Sequence, residues 1–283
     1  MPTPFPPRST PSAAAASPAA SSAPGPADVA AAADRLRAAG CVFAEDEARL
    51  IADAARTAAD LRAMVERRAA GLPLEHVVGW AEFHGLRILM DPGVFVPRRR
   101  TEFLVERAIA AAGERPVVVD LCCGSGALGA ALAAARPGAE LHAADIDPAA
   151  VRCARRNVES VGGSVHSGDL FAALPAGLRG RVDVLLANVP YVPTGDIRVL
   201  PAEAREHEAR AALDGGADGL AVLRRVSAQA PDWLAPGGRM FVETSDRQVP
   251  SALAILRGDG MAAEAETSKE YAATVVVASR ANR

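Results

Sequence analysis

A repeated alternation of apolar strand and helix begins at Pro116 and constrains the fold more than any other feature. The first unit is a short apolar run at 117–119, followed by a Gly-rich loop and an Ala-rich helix. Such units pack with parallel strands, and helices cover both faces of the sheet. Further strands are predicted at 140–145, near 165, and at 182–187, 239–243, 262–266 and 274–278, with helices at 148–161 and 220–233. The pattern predicts an α/β fold, a doubly wound and mainly parallel sheet of seven strands, with ligands at the carboxyl ends of the strands.

The segments before this sheet differ from it in composition. Residues 1–27 are nearly all Pro, Ser, Ala and Thr, which predicts a disordered tail and lacks the unbroken apolar segment of a signal peptide. Residues 28–79 carry apolar residues at helical spacing, which predicts a small helical bundle that presents a partner surface or covers a cleft. Between 80 and 97, two apolar runs flank Asp91-Pro92-Gly93, and we predict a β-hairpin linker with its turn there. The remaining 98–283 are assigned to one catalytic domain.

Charge and composition exclude several classes of protein. A net charge of −3 and a pI near 6.0 argue against a broad nucleic-acid surface, which needs a clustered basic face. The short basic run Arg98–Arg100 is interpreted as a solvated arm. No run reaches the roughly 20 apolar residues of a membrane span. We expect a monomer that forms no stable complex with nucleic acid and is not attached to a membrane.

The cysteines and histidines show no metal-binding pattern. The four cysteines lack the paired two-residue spacing of zinc sites, and the adjacent Cys122 and Cys123 cannot readily bridge each other. We therefore predict reduced thiols in a cytoplasmic protein. The five histidines are scattered along the chain, and no metal is predicted.

The loop after the first predicted strand and the end of the second strand together indicate a cofactor. The loop is Asp120-Leu121-Cys122-Cys123-Gly124-Ser125-Gly126, and its glycines let the backbone approach a ligand closely, although a tight structural turn would have the same composition. Asp145, nineteen residues after Gly126, could accept hydrogen bonds from ribose hydroxyls. The pair suggests a cofactor that contains adenosine.

The form of the loop narrows the choice of cofactor. A dinucleotide site calls for G-x-G-x-x-G/A to seat a pyrophosphate, whereas Asp120 would repel a phosphate and attract an ammonium group. S-adenosylmethionine carries such an ammonium group. At the end of another strand, Asn188-Val189-Pro190-Tyr191 places an amide side chain beside a stiff turn and an aromatic ring, an arrangement suited to a planar amino group.

From about residue 65 to the C terminus, the chain resembles the class I S-adenosylmethionine-dependent methyltransferases. Within them it resembles the HemK-type protein-glutamine methyltransferases, which modify peptide chain release factors. The motifs that carry the resemblance, beside the loop at 120–126 and the Asn188 motif, are RRAAGLPL at 67–74, AEFHGL at 81–86, DPGVFVPR at 91–98, TE at 101–102, Asp145, GDLF at 168–171, GGADGL at 215–220 and LAPGG at 234–238. The resemblance implies a Rossmann-like methyltransferase domain preceded by a helical substrate-recognition domain.

The resemblance also implies residue roles. The cofactor would be held by Asp120, Cys122, Cys123, Gly124, Ser125, Gly126, Asp145, Asp169, Leu170 and Asn188, with the adenine beside Asp169 and Leu170. The acceptor amide would lie at Asn188, Val189, Pro190 and Tyr191. The Asn188 side-chain oxygen and the Val189 carbonyl would each accept one N–H, and the Tyr191 ring would pack on the amide plane. The alternative for Asp169 is a helix-capping or turn residue.

Four departures from the family pattern lie close to these positions. Val189 replaces a proline of Asn-Pro-Pro-Tyr, which is expected to relax the loop. Cys122 replaces a glycine, so we expect a negative φ there. Arg99-Arg100 and His207-Glu208-Ala209 replace Pro-Glu and Phe-Glu-Pro. These changes predict a divergent member of the family and leave the acceptor protein open.

Three functions fit the residues. The first is methylation of a glutamine side chain in a protein, with a release factor as the leading candidate. The second is methylation of another planar nitrogen, on a nucleobase or a small metabolite. The third is a non-catalytic binding module in which Cys122 and Val189 have degraded the site.

Overall fold

The structure is a computed structural model and describes residues 22–280. The chain divides into two compact units, Met1–Val65 and Glu66–Arg283. Most of the predicted tail lies outside the described residues, while the first helix already begins at Pro26. The predicted roles of the domains, substrate recognition over 28–79 and catalysis over 98–283, stay predictions.

The N-terminal region is helical, as the spacing of its apolar residues predicts. Leu36, Ala48 and Ile51 are fully buried, and Gly40 ends the first helix with a φ of 89° that favours glycine. The helices are α1 (Pro26–Ala38), α2 (Ala44–Ala54), α3 (Ala58–Ala69) and the short α4 (Leu74–Val78).

A two-stranded hairpin follows, but its turn is not the predicted one. Strands β1 (Trp80–Phe83) and β2 (Leu86–Leu89) pair antiparallel, so the turn is His84-Gly85 rather than Asp91-Pro92-Gly93. Both turn residues have positive φ, 50° and 72°, which matches the right-handed twist of a two-residue hairpin. The Asp-Pro-Gly segment lies beyond β2, and residues 94–96 form no strand.

The larger unit contains the predicted seven-stranded sheet. The strand order is β5-β4-β3-β6-β7-β9-β8. Six strands run parallel to one another, and β9 runs antiparallel to them. The strands are β3 (Val117–Leu121), β4 (Glu140–Asp145), β5 (Ser164–Ser167), β6 (Val182–Ala187), β7 (Leu234–Thr244), β8 (Met261–Ser268) and β9 (Ala273–Arg280). The Pro236-Gly237-Gly238 segment interrupts the pairing of β7 with β6.

Helices cover both faces of this sheet. They are α5 (Glu102–Ala111), α6 (Ala127–Ala135), α7 (Pro148–Val158), α10 (Ala221–Ser227), α11 (Ala230–Trp233) and α12 (Val249–Gly258). Two short helices, α8 (Ala202–His207) and α9 (Arg210–Leu213), lie between β6 and α10 in the chain. Neighbouring strand residues alternate between two apolar cores: Val118 belongs to the core with α5, α6 and α7, and Val119 to the core with α10, α11 and α12. This period of two identifies a sheet buried on both faces.

The strand order reverses between β3 and β6, which lie side by side. In doubly wound sheets, ligands bind where the order reverses, at the carboxyl ends of the strands. The Gly-rich loop follows β3 and Asn188 follows β6 directly, so the fold brings the two predicted motifs together. None of the helices within 22–280 is long and apolar enough to cross a membrane.

Candidate active site

Two clefts open at the carboxyl ends of β3, β4 and β6. The first cleft lies beside the loop that follows β3, and the second lies beside the loop that follows β6. Of the predicted residues, the first cleft is lined by Asp120, Cys122, Cys123, Gly124, Ser125, Asp145, Asn188 and Pro190, and the second by Asn188, Val189 and Tyr191. Asn188, Phe95 and Ala212 line both clefts, so Asn188 lies where they meet.

Asp120 is a buried carboxyl at the end of β3. Only 1% of the residue is exposed, and its Oδ2 accepts a hydrogen bond from the Gly129 N–H at 2.9 Å. Burial, and to a smaller degree the nearby Asp145 carboxylate, raise the pKa of Asp120 to about 7, against the lowering effect of the Gly129 N–H. The carboxyl at this edge of the first cleft therefore titrates near neutral pH.

The prediction for the backbone at Cys122 is wrong. Cys122 has a φ of +55°, the left-handed conformation that favours glycine. The loop keeps the shape that a glycine would give it, and the side chain packs partly against the core shared with α10 to α12. The strain of a side chain in this conformation is compensated by the surrounding fold.

Gly126 and Asn157 fix the rest of the loop. A Cβ on Gly126 would lie 2.6 Å from Cγ2 of Val158, and its φ is +77°, so only glycine fits between the loop and α7. The buried Asn157 donates a hydrogen bond to the carbonyl of Ser125 at 2.8 Å. It also accepts from the Leu89 N–H and donates to the Leu89 carbonyl in the hairpin. Gly126 itself lines neither cleft and acts through its backbone shape.

Asp145 holds the loop from the other side. Its Oδ2 accepts from the Gly124 N–H and its Oδ1 from the Asp147 N–H, both at 2.9 Å. Burial raises the pKa of Asp145. Each oxygen keeps a second lone pair, so the carboxylate at the first cleft can still accept hydrogen bonds from a ligand.

Asp169 and Leu170 are placed differently from the other predicted residues. Asp169 is exposed and pairs with Arg225 at 2.5 Å, and Leu170 is buried in the core with a φ of +49°. Neither residue is among those that line the two clefts. Their predicted role beside an adenine stays a prediction.

Asn188 differs from Glu208 and Glu243, whose Oε2 atoms are also buried without a partner among the described residues, because it alone of the three lines both clefts. Its side-chain Oδ1 is buried and has no hydrogen-bond partner in the described chain. Buried polar atoms are nearly always satisfied, because an unpaired one costs about 1–3 kcal/mol. An unpaired acceptor where two clefts meet indicates a site built for a donor that comes from a ligand.

The backbone after Asn188 is held tightly despite the loss of a proline at Val189. Gln248 Nε2 donates to the Tyr191 carbonyl at 2.9 Å, and the Val192 N–H donates to Leu213 O at 3.0 Å. Gly215 and Gly219 let their loop approach closely, since a Cβ there would lie 2.7 Å from Pro190 O and 2.2 Å from Tyr191 O. These contacts restrain the loop at a place where Val189 lacks the backbone restraint of a proline.

The interpretation of Arg98–Arg100 as a solvated arm is wrong for two of its residues. Arg98 pairs with the buried Glu208 at 2.6 Å, and Arg100 with the buried Glu243 at 2.7 Å. Both arginines line the second cleft. A run of charges looks solvated in sequence because its buried acidic partners lie more than 100 residues away.

Known proteins resemble this chain over the same region. Residues 85–225 match the family described as Methyltransferase small domain. The chain is 40% identical over 201 residues to the release factor glutamine methyltransferase of Geobacter sulfurreducens and 42% identical over 200 residues to that of Mycolicibacterium smegmatis, with 70% of each chain covered in both cases. The chain belongs to the release factor glutamine methyltransferase family.

Two further comparisons place this methyltransferase within a wider group. It is 38% identical over 203 residues to the 4-amino-L-phenylalanine/4-methylamino-L-phenylalanine methyltransferase of Streptomyces pristinaespiralis, covering 69% of each chain. The solved structure of a methyltransferase from Pyrococcus furiosus superposes with a TM-score of 0.53 at 16% identity, covering 78% of this chain and 98% of that one. The latter likeness shows the shared Rossmann-like fold alone.

Sequence reasoning missed several residues of this methyltransferase's candidate site. Ile146 lines the first cleft with 60% of its surface exposed, and Phe95 lines both clefts. The signal for Ile146 was an apolar residue directly after the acidic end of a strand. The departures from the family pattern place Arg100 and Glu208 near the predicted acceptor position, but their pairing with Glu243 and Arg98 is made only in the folded chain.

Proposed function

We propose that this chain transfers a methyl group from S-adenosylmethionine to the side-chain amide nitrogen of a glutamine in a protein, with peptide chain release factors as the first substrates. The observation that carries the proposal is the buried, unpaired Oδ1 of Asn188 at the junction of the two clefts. The family membership and the names of the relatives described above support the same reaction.

The first cleft fits the cofactor chemically. Asp120 offers a carboxylate for an ammonium group, Asp145 offers lone pairs for ribose hydroxyls, and the exposed Ile146 offers an apolar face for a flat base. The positive φ of Gly124, 56°, brings backbone rather than side chain to the cleft. When bound, the cofactor supplies a methyl group activated by a sulfonium charge.

The second cleft would receive the glutamine. An amide nitrogen is a weak nucleophile because its lone pair is delocalised into the carbonyl group. Asn188 Oδ1 and the Val189 carbonyl would each accept one N–H, which fixes the amide plane and stabilises the positive charge that develops on nitrogen. The nitrogen gains the methyl group from the sulfonium and then releases one proton to solvent, so no general base is required.

Other acceptors have less support. A small aromatic amine is the substrate in the name of the Streptomyces pristinaespiralis relative, so a similar fold serves an arylamine there. The two relatives with higher identity described above carry release factor names. The cytoplasmic location and the monomeric state stay predictions.

The decisive experiment combines labelled S-adenosylmethionine, the protein and release factors with an intact Gly-Gly-Gln loop. We expect label on that glutamine and none on a release factor in which it is replaced by alanine. Asn188→Ala should lower the rate of transfer about 100-fold or more, by analogy with the loss of one transition-state hydrogen bond, while calorimetry shows the cofactor still binding. Label on 4-amino-L-phenylalanine but on no glutamine would replace this proposal with the small-amine function, and absence of cofactor binding would favour a non-catalytic module.

A further inference from the structure

Three side chains from distant parts of the sequence meet beside the second cleft, which Arg100 and Tyr191 line. Arg100 lies just before α5, Tyr191 in the loop after β6, and Glu243 near the end of β7. Arg100 donates from Nε to Glu243 Oε1 at 2.7 Å and from Nη2 to the Tyr191 hydroxyl oxygen at 2.8 Å. The Tyr191 hydroxyl donates to the same Glu243 oxygen at 2.8 Å, which closes a ring of three hydrogen bonds.

The ring joins a buried carboxylate to an Arg100 side chain that is 46% exposed. The Glu243 side chain is only 3% exposed, and its second oxygen, Oε2, is buried without a partner among residues 22–280. The carboxylate therefore depends on the two donors at Oε1 for compensation of its lost hydration. A planar guanidinium can reach a carboxylate and a phenol at once with fixed geometry, which a single ammonium cannot do.

We propose that Arg100 and Glu243 are positioning residues that hold the Tyr191 ring in the orientation in which it packs on the acceptor amide. This inference rests on the proposed function, because it assigns Tyr191 to the acceptor. Arg100 and Tyr191 both line the second cleft, and the Tyr191 backbone is fixed separately by Gln248. The remaining freedom of Tyr191 is the rotation of its aromatic side chain. The hydrogen-bond ring restricts this rotation, so the side chain is already ordered before the substrate binds.

The kinetic test is a double-mutant cycle of Arg100→Gln and Tyr191→Phe. Each single variant should lower kcat on the release factor about tenfold, with the KM for the release factor and the Kd for S-adenosylmethionine within about twofold of wild type. The double variant should be no slower than the slower single variant, because both changes release the same ring. The proposal would be overturned if the loss of kcat in the double variant were the product of the two single losses, or if the single variants had an unchanged kcat.

Arg99→Gln is the matched control, since it removes the same charge from the exposed neighbouring residue. It should leave kcat within about twofold of wild type. Urea unfolding of every variant separates a loss of positioning from a loss of folding. A tenfold loss in Arg99→Gln would show that charge at the cleft mouth, rather than the ring, controls the rate, and would reject the inference.

A second measurement does not depend on activity. The chain has only two tyrosines, so selective ¹³C labelling of tyrosine rings gives few signals, and Tyr271→Phe identifies those of Tyr191. In the wild-type protein the two Cε positions of Tyr191 should give separate signals, because the ring is held, and in Arg100→Gln they should merge. Signals that are the same in both proteins would refute the positioning role. If the wild type labels no glutamine, the proposed function fails, while the ring signals still decide whether Arg100 holds Tyr191.

Discussion

The side-chain amide of Gln248 donates a hydrogen bond to the carbonyl oxygen of Tyr191 at 2.9 Å. The same nitrogen donates to Asp218 O at 3.0 Å, and Gln248 Oε1 accepts from the Ser245 hydroxyl at 2.7 Å. One buried side chain thus ties the loop that follows β6 to the loop before α10 and to the end of β7. The Asn188 side chain projects from a backbone that is fixed on several sides.

Gly219→Ala should break this arrangement. A Cβ at Gly219 would lie 2.2 Å from Tyr191 O and 2.3 Å from Gln248 Nε2, and the residue has a φ of +76°. We expect a loss of at least about 2 kcal/mol in the free energy of unfolding, from strain and a displaced loop, measured by urea denaturation. Methyl transfer should fall with it.

Gly177→Ala is the control for that experiment. A Cβ at Gly177 would meet no atom within 4 Å, and no positive φ is required there. Its unfolding free energy should stay within about 0.5 kcal/mol of wild type. Equal losses in the two variants would show that the close approach of Gly219 to Tyr191 is unimportant.

Asn188→Ala should separate stability from activity. The buried Oδ1 of Asn188 is without a partner among residues 22–280, so the folded protein carries the cost of its desolvation. Removing it should raise the free energy of unfolding by about 1 kcal/mol, partly offset by lost packing, even as transfer is lost. Thermal and urea unfolding of the ligand-free protein provide the measurement. A destabilisation above about 1 kcal/mol would mean that the Asn188 side chain stabilises the fold and is not an unpaired acceptor for a ligand.

Much of the fold and part of the site follow from local sequence. Continuous apolar runs and the turn residues between them identify the parallel strands, and the strand order places the loop after β3 beside Asn188. The predicted hairpin turn is wrong because Asp-Pro-Gly is a strong local turn signal, whereas His84-Gly85 lacks the Asn-Gly or Asp-Gly pair that is typical of a two-residue hairpin. The ring of Arg100 and Glu243 could not be predicted, since these residues are 143 positions apart and no periodicity connects them.

Asp120 should make the stability of the ligand-free protein depend on pH. Its pKa in the folded protein, about 7, is above the ordinary 3.8, so the folded state binds the proton more tightly than the unfolded state. Stability is then highest at low pH and is lost as the pH rises from about 4 to 7. The full difference is of the order of 4 kcal/mol.

The measurement is the unfolding free energy from pH 5 to 8 for wild type and Asp120→Asn. The variant keeps an oxygen that can accept from the Gly129 N–H but cannot ionise. The wild type should lose stability relative to the variant across this range. Asp145, whose pKa is also raised, contributes to the pH dependence of both proteins, so its contribution largely cancels in the comparison. Parallel curves would show that Asp120 has an ordinary pKa and is ionised throughout.

Cys122 provides a test of how much strain the loop carries. At a φ of +55°, a side chain costs about 1–2 kcal/mol relative to glycine, while glycine adds entropy to the unfolded chain and gives up the packing of the thiol. Cys122→Gly should therefore change the free energy of unfolding by less than about 1 kcal/mol. Cys122→Val should lose about 2 kcal/mol or more, because a β-branched residue tolerates this conformation least. Urea unfolding of the two variants checks both values, and equal stability of the glycine and valine variants would contradict the left-handed conformation at this position.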